Sequence, residues 1–203
     1  MSYVFLGIGD TDKIKGRSDI VIARDLPDNI EQYPKFCAFT GWYALWKNNL
    51  IQTDYFNLLE YDIEIKGDFN GISTDCINKK YEFIGYVPLS MYHAFINLPE
   101  YLANIIPSIK KHYNIEINQI VRSACKKDKR IEWSSTSNST WSVALFNEYM
   151  IWFDKLIDDL KDNSMSGHAH ERSISFFHLI HDSKVFLIKG LIKHFMLNST
   201  NYQ

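Results

Sequence analysis

The chain has 203 residues, of which 46% are hydrophobic, 23% charged and 15% aromatic, which excludes a disordered, collagen-like or low-complexity chain. Its 22 basic and 24 acidic residues leave a formal net charge of -2, without the basic excess of a dedicated nucleic-acid binder. No stretch approaches the run of about 20 apolar residues that spans a membrane. Met1–Asp10 lacks the basic segment and apolar core of a secretion signal, so the expected setting is cytoplasmic. Cys37, Cys76 and Cys125 stand far apart and read as free thiols or small hydrophobes. One domain spanning residues 1–203 is the expectation at this length.

Tyr3–Ile8 and Asp19–Ala23 are short apolar runs that read as strands, with Thr11–Ser18 as a loop between them. Pro34 sits where a first helical turn tolerates it. Phe36, Phe39, Tyr43 and Trp46 follow at helical spacing, predicting an amphipathic helix over Lys35–Asn48. Tyr55–Leu59 is a dense strand-forming run. From Tyr61 to Ile65 apolar and acidic residues alternate, as on a strand with one buried face. Tyr81–Val87 predicts another strand, and Pro88 opens a helix to Ile96. A further helix runs from Pro99 to Tyr113, with Pro107 as a kink or stop. Ile115–Ala124 fits helix or strand.

Lys126, Lys127, Asp128, Lys129 and Arg130 read as a solvated loop or as cations placed near phosphate. Ser134–Thr140 is rich in Ser, Thr and Asn and reads as a flexible segment, with Ser139 or Thr140 capping the next helix. Trp141–Lys161 predicts a helix whose apolar stripe is Leu145, Tyr149, Trp152, Leu156 and Leu160. Glu171–His181 is a second helical pattern, and Val185–Ile188 a late strand. Together these elements predict one α/β domain with a central mixed sheet flanked by helices.

Two local patterns carry chemistry. The first is an apolar strand running straight into Glu60, Asp62 and Glu64. Ligands gather at the carboxyl ends of strands in α/β folds, and paired carboxylates there can hold a hard divalent cation. The competing reading makes these acids the solvent face of a half-buried strand. The second pattern is Gly167-His168-Ala169-His170-Glu171-Arg172. Two histidines one residue apart can ligate a metal from an extended segment, with Glu171 as a base. Alternatively the segment starts a helix, and Glu171 sits favourably near its positive end. His178 and His181 lie three apart further along. No P-loop, GxGxxG or GxSxG is present, and Gly7-Ile8-Gly9 is only a fragment of a phosphate loop. Trp42 and Trp46, one turn apart, read as core.

Several of these pieces, in order, resemble a known group. They are Asp28-Asn29-Ile30, the Tyr33–Asn48 stretch ending Gly41-Trp42-Tyr43-Ala44-Leu45-Trp46-Lys47-Asn48, and Asp54-Tyr55-Phe56-Asn57-Leu58-Leu59-Glu60-Tyr61-Asp62. This order is similar to that of the bacterial capsular and exopolysaccharide glycosyltransferases, a domain-of-unknown-function group. Their pattern is DNIS, then a helix ending Y-W-x-W-K-N, then D-Y-x-G-L-x-H-Y-R-R. Gly167–Phe177 is similar to that group's G-x-x-x-E-R-L element. The resemblance covers about residues 25–65 and 165–180. Where the group has His-Tyr-Arg-Arg, this chain has Glu60-Tyr61-Asp62-Ile63, closer to the metal-binding D-x-D of nucleotide-sugar transferases.

The resemblance implies a nucleotide-diphospho-sugar transferase-like (Rossmann-like) fold, short at its N-terminal side. The implied activity is transfer of a sugar from a nucleotide-sugar donor to a glycan or lipid-linked acceptor. Glu60 and Asp62 would hold Mg²⁺ or Mn²⁺, Asp28, Asn29 and Lys47 would meet the nucleotide, and Glu171 with Arg172 would serve catalysis. No nucleic-acid partner is expected, and peripheral membrane contact is compatible with a lipid-linked acceptor. Two alternatives stand beside this reading. One is a carbohydrate-binding or assembly protein that kept the fold, and the other a metal-dependent hydrolase built on His168, His170 and Glu171.

Overall fold

The computed structural model describes residues 2, 3, 5–7, 20–60, 63–96, 102–128, 130–135 and 137–194. Its strands are β1 (Ser2–Tyr3), β2 (Phe5–Gly7), β3 (Ile20–Ile22), β4 (Tyr55–Leu58), β5 (Ile63–Ile65), β6 (Phe83–Gly85), β7 (Pro88–Ser90), β8 (Glu132–Ser134), β9 (Ser139–Ser142), β10 (Val185–Leu187) and β11 (Ile192–His194). Its helices are α1 (Phe39–Lys47), α2 (Phe69–Asn78), α3 (Met91–Ile96), α4 (Ile105–Tyr113), α5 (Ile117–Lys127), α6 (Val143–Asp154), α7 (Ile157–Leu160) and α8 (Ser166–His181). The central sheet has five strands in the order β1-β4-β9-β6-β10. β1 runs parallel to β4 and β10 parallel to β6, while β9 lies antiparallel between β4 and β6. The sheet is therefore mixed, as expected.

Alternation along these strands sorts side chains to two faces. On one face Phe56, Trp141 and Phe83 stand in register across β4, β9 and β6. They pack against α1, α6 and α8 through Trp42, Phe146, Tyr149 and His178. On the other face Ile84 and Tyr86 pack with Phe69 and Cys76 of α2 and with Leu191 and Ile192. The polar residues of this second face form a directed chain. Thr140 donates its hydroxyl to Asn57 Oδ1, so Tyr86 must donate to Thr140 and Ser73 to Tyr86.

Several expected boundaries shift for identifiable reasons. The helix expected over Lys35–Asn48 is broken. Pro34–Phe36 form one 3₁₀ turn, Cys37 takes a positive φ of 51°, and the α-helix starts only at Phe39. Its buried face then carries Phe39, Trp42 and Leu45, while Tyr43 and Trp46 are half-buried. Pro88 starts a strand, not a helix, because Leu89 pairs across to Trp133 in β8. Pro107 lies in the first turn of α4, where its missing N–H costs nothing. Ile117–Lys127 is helical, and its basic end leads into an exposed loop. Trp141 belongs to β9, so the helix begins at Val143. Ser142, rather than Ser139 or Thr140, caps it by accepting from Leu145 N–H at 3.3 Å. That helix also breaks between Asp154 and Ile157, although all five residues of its expected stripe are buried.

The largest correction concerns Ser134–Thr140, which is not a flexible segment. Ser134, Ser137, Asn138, Ser139 and Thr140 are buried, and β9 is the middle strand of the sheet. Val4, Ile8–Asp19, Tyr61, Asp62, Pro99, Lys129 and Thr136 lie outside the described residues.

Tyr86→Phe removes the donor to Thr140 and the acceptor for Ser73. The expected loss is about 1–3 kcal/mol of unfolding free energy, measured by urea denaturation with an unchanged m-value.

Candidate active site

The sheet delivers Glu60 two residues beyond the carboxyl end of β4. There it meets Asn138, which immediately precedes the antiparallel β9. The contact is reciprocal. Glu60 N–H donates to Asn138 Oδ1 at 2.7 Å, and Asn138 Nδ2 donates to Glu60 Oε2 at 2.7 Å. Asn138 is fully buried, so its amide is oriented by the fold and in turn orients the half-buried Glu60 carboxylate.

A second element approaches this point from the far end of the chain. α8 starts at Ser166, whose hydroxyl donates to the carbonyls of Leu160 and Asn163. The next residue, Gly167, lies so close to the 35–37 turn that a Cβ there would sit 3.2 Å from Cys37 Sγ and 3.3 Å from the Lys35 carbonyl oxygen. Lys35 Nζ also donates to the Asp162 carbonyl at 3.0 Å, tying the turn to the segment before α8. Cys37 thus marks the junction between the sheet end and α8. Partial burial pushes its thiol pKa upward, and the charges of Glu171 and then Glu60 push it further the same way. Two carboxylates separated by 111 positions therefore act on one thiol.

Glu171 lies a turn and a half into α8, beyond the four unpaired N–H groups of a helix start, so it is not a capping residue. Its carboxylate is partly exposed, and Oε2 lies 3.6 Å from His168 Nδ1. Arg172 faces another way. It is 5% exposed, donates to the His168 carbonyl at 3.2 Å, and places its guanidinium carbon 5.2 Å from the Trp133 ring centroid.

The remaining expected residues form a separate group. Asn48 Nδ2 donates to the Asp28 carbonyl at 2.7 Å, and Asn29 Nδ2 donates to the Leu26 carbonyl at 2.8 Å, which closes its own turn. Lys47 Nζ lies 3.2 Å from Asp154 Oδ2 and 4.1 Å from the centre of the Trp46 ring. This group stands at the C-terminal end of α1, whereas Cys37 precedes its N-terminal end. About 12 Å of helix rise lies between Phe39 and Lys47. The structure thus brings Glu60 and Glu171 to one neighbourhood and puts Asp28, Asn29 and Lys47 in another. Asp62 lies outside the described residues. Two residues of this neighbourhood were not singled out from the sequence. Cys37 was read only as a lone thiol, and Asn138 lay in the stretch read as flexible.

The two-histidine metal reading required an extended segment, and residues 166–181 are helical. Neighbours two apart on a helix point about 200° away from each other. His168 is exposed, while His170 is buried in a cage of Phe39, Trp42, Tyr149 and Phe153. Burial lowers the His170 pKa to about 3, so it is a neutral core residue. Among the described residues no group of three or more His, Cys, Asp or Glu side chains is placed to hold a metal ion. Nor is any of their helices long and apolar enough to cross a membrane.

No family model matches the sequence, and no curated protein matches it. Among solved structures, one titled as the apo form of the WbbM bifunctional glycosyltransferase is similar, with a TM-score of 0.61 at 16% identity. The match covers 93% of this chain, which spans 41% of that chain's length.

Two measurements check this description. Glu171→Gln and Glu60→Gln should each lower the Cys37 pKa, read from the pH dependence of thiol alkylation. An unchanged value in both variants would mean that the carboxylates do not share the thiol's surroundings. The second concerns acid. His170 and His178 both titrate at about 3 in the fold against 6.5 for free histidine. The unfolded chain binds these protons first, so their contribution is full above pH 6.5 and is lost on acidification toward pH 3. His170→Phe should flatten that decline, measured by urea denaturation at stepped pH.

At this coarse level the chain has a glycosyltransferase-like fold, a mixed α/β sheet flanked by helices.

Proposed function

We propose that this chain transfers a sugar from a nucleotide-diphosphate donor to a hydroxyl group of a glycan or lipid-linked acceptor. One observation carries the reading. Glu60 is held by the buried Asn138 at the carboxyl end of a central strand, and the start of α8, which bears Glu171, packs on the turn at Cys37, all within a glycosyltransferase-like fold. The structural neighbour is itself titled a bifunctional glycosyltransferase, which supports the same class of chemistry.

The physical demand of the reaction is charge. A departing nucleoside diphosphate develops negative charge, and preorganised positive charge stabilises it. Glu60 and Asp62 offer hard oxygen donors, the ligand type that Mg²⁺ and Mn²⁺ take. The Asn138 clamp on Glu60 Oε2 is the orienting contact that a ligating carboxylate needs. These two residues would hold the ion, which when bound would neutralise the diphosphate. Glu171 accepts the proton of the acceptor hydroxyl as general base. Arg172, buried over Trp133, is a positioning residue for the first turns of α8. Asp28, Asn29 and Lys47, at the C-terminal end of α1, would meet the nucleotide part of the donor.

Calorimetric titration with a panel of nucleotide sugars, with and without Mn²⁺, tests the reading. Donor binding should need the metal and be lost in Glu60→Gln. Glu171→Gln should leave donor binding intact and lower turnover by about 10²-fold or more. Binding of glycans with no donor binding would replace the transferase by a carbohydrate-binding module.

A further inference from the structure

A cavity of about 260 Å³ lies away from Cys37, under the second half of α8. Strands β6, β8 and β10 close its other sides through Phe83, Trp133, Ser134 and Leu187. Its polar lining is unusual. Trp133 Nε1, Ser134 Oγ, Ser183 Oγ and both ring nitrogens of His178 are buried and have no hydrogen-bond partner among the described residues. Trp133 is 3% exposed and Ser134 2%. Each such group left unmatched costs about 1–3 kcal/mol, and native proteins keep few of them. Here four residues with unmatched polar atoms line one cavity.

The chemistry of the lining selects its occupant. An indole N–H and two hydroxyls donate, the hydroxyls also accept, and a neutral imidazole does one of each. Glu132, Ser175 and Asp182 complete the polar lining of the cavity. Asp182 is exposed and so marks the mouth, while Glu132 is ion-paired with Lys189 at 2.7 Å. An anionic ligand would meet carboxylates and no unpaired cation. A divalent metal would find an indole N–H that cannot ligate it. Phe83, Val185 and Leu187 supply apolar lining beside these groups. A neutral molecule with hydroxyls along its edge and an apolar face satisfies both sides. The volume lies just below the range of about 300–1,000 Å³ usual for small-molecule pockets, which limits the occupant to a single ring or short polyol.

We infer that this cavity is a binding site for one neutral monosaccharide or polyol, separate from the Glu60–Glu171 neighbourhood. Trp133 lines the cavity with the Arg172 guanidinium against its ring and its N–H among the unmatched groups.

Calorimetric titration of the full chain with neutral hexoses, N-acetylhexosamines, glycerol and ribitol tests the inference. At least one should bind saturably and raise the melting temperature. Ser183→Ala and Ser134→Ala should each weaken it by about tenfold, the size expected for one lost buried hydrogen bond. Both variants remove an unmatched hydroxyl and should stay folded, which circular dichroism and the melting temperature check. Glu60→Gln should leave this binding unchanged, so failure of the transferase reading and failure of this one remain distinct. The inference is overturned if no neutral sugar or polyol binds, since the cavity then holds water only. It is equally overturned if binding ignores both serine variants, if Glu60→Gln abolishes it, or if a sugar phosphate binds more tightly than its parent sugar.

Discussion

Everything in this fold is arranged around a strand of hydroxyl-bearing residues in the middle of the sheet. Ser139, Thr140, Trp141 and Ser142 are all buried, and β9 pairs with a strand on each side. Burying hydroxyls is unfavourable unless each finds a partner. Thr140 finds its partners in the directed chain from Ser73 through Tyr86 to Asn57, while Ser139 bonds the Ser137 carbonyl and the Trp141 indole, and Ser142 caps the helix that follows. Trp141, on the opposite face, turns the same strand into the centre of the aromatic core, with Trp42, Phe83, Phe146 and Tyr149 around it. One strand thereby holds polar order on one face and apolar packing on the other.

The candidate site depends on that order. Asn138 is the residue just ahead of β9, and its rigid amide is what meets Glu60 at the end of β4. The antiparallel run of β9 is the reason its start lies beside the carboxyl end of β4. α8 is fixed by different means. Tyr149 on α6 bonds Ser173 at 2.7 Å, and the aromatic cage around His170 locks the buried side of the helix. Glu171 is the neighbour of that caged residue. Its position therefore follows from the core packing of its neighbour.

How much of this was legible depended on how local its causes were. Tyr55–Leu58 and Val185–Leu187 announce themselves as strands because their apolar content is dense and their neighbours are turn-forming. The stripe from Leu145 to Leu160 is equally plain, since helical periodicity needs no distant partner. Ser134–Thr140 was opaque for the opposite reason. Its composition is that of a solvated loop, and only Asn57, Tyr86 and Ser73, far away in the chain, make it a core strand. The Lys35–Asn48 helix was legible as a helix. Its face was legible in Phe36, Phe39 and Trp42, which are buried, but beyond the break at Cys37 Leu45 is buried while Tyr43 and Trp46 are only half-buried. The pairing of Glu60 with Asn138 was legible in neither residue alone. The same holds for the histidines, whose meaning changed once the segment between Ser166 and His181 became helix.

Gly167 rests so closely on the turn beneath it that a Cβ there would press on Cys37 Sγ and on the Lys35 carbonyl oxygen. Any side chain at position 167 would act as a wedge, moving the helix bearing Glu171 by some tenths of an ångström from the turn beneath it. Reactions between positioned groups are steep functions of such distances. Position 167 is therefore a mechanical adjustment screw. It sets how closely the start of α8 can rest on the 35–37 turn.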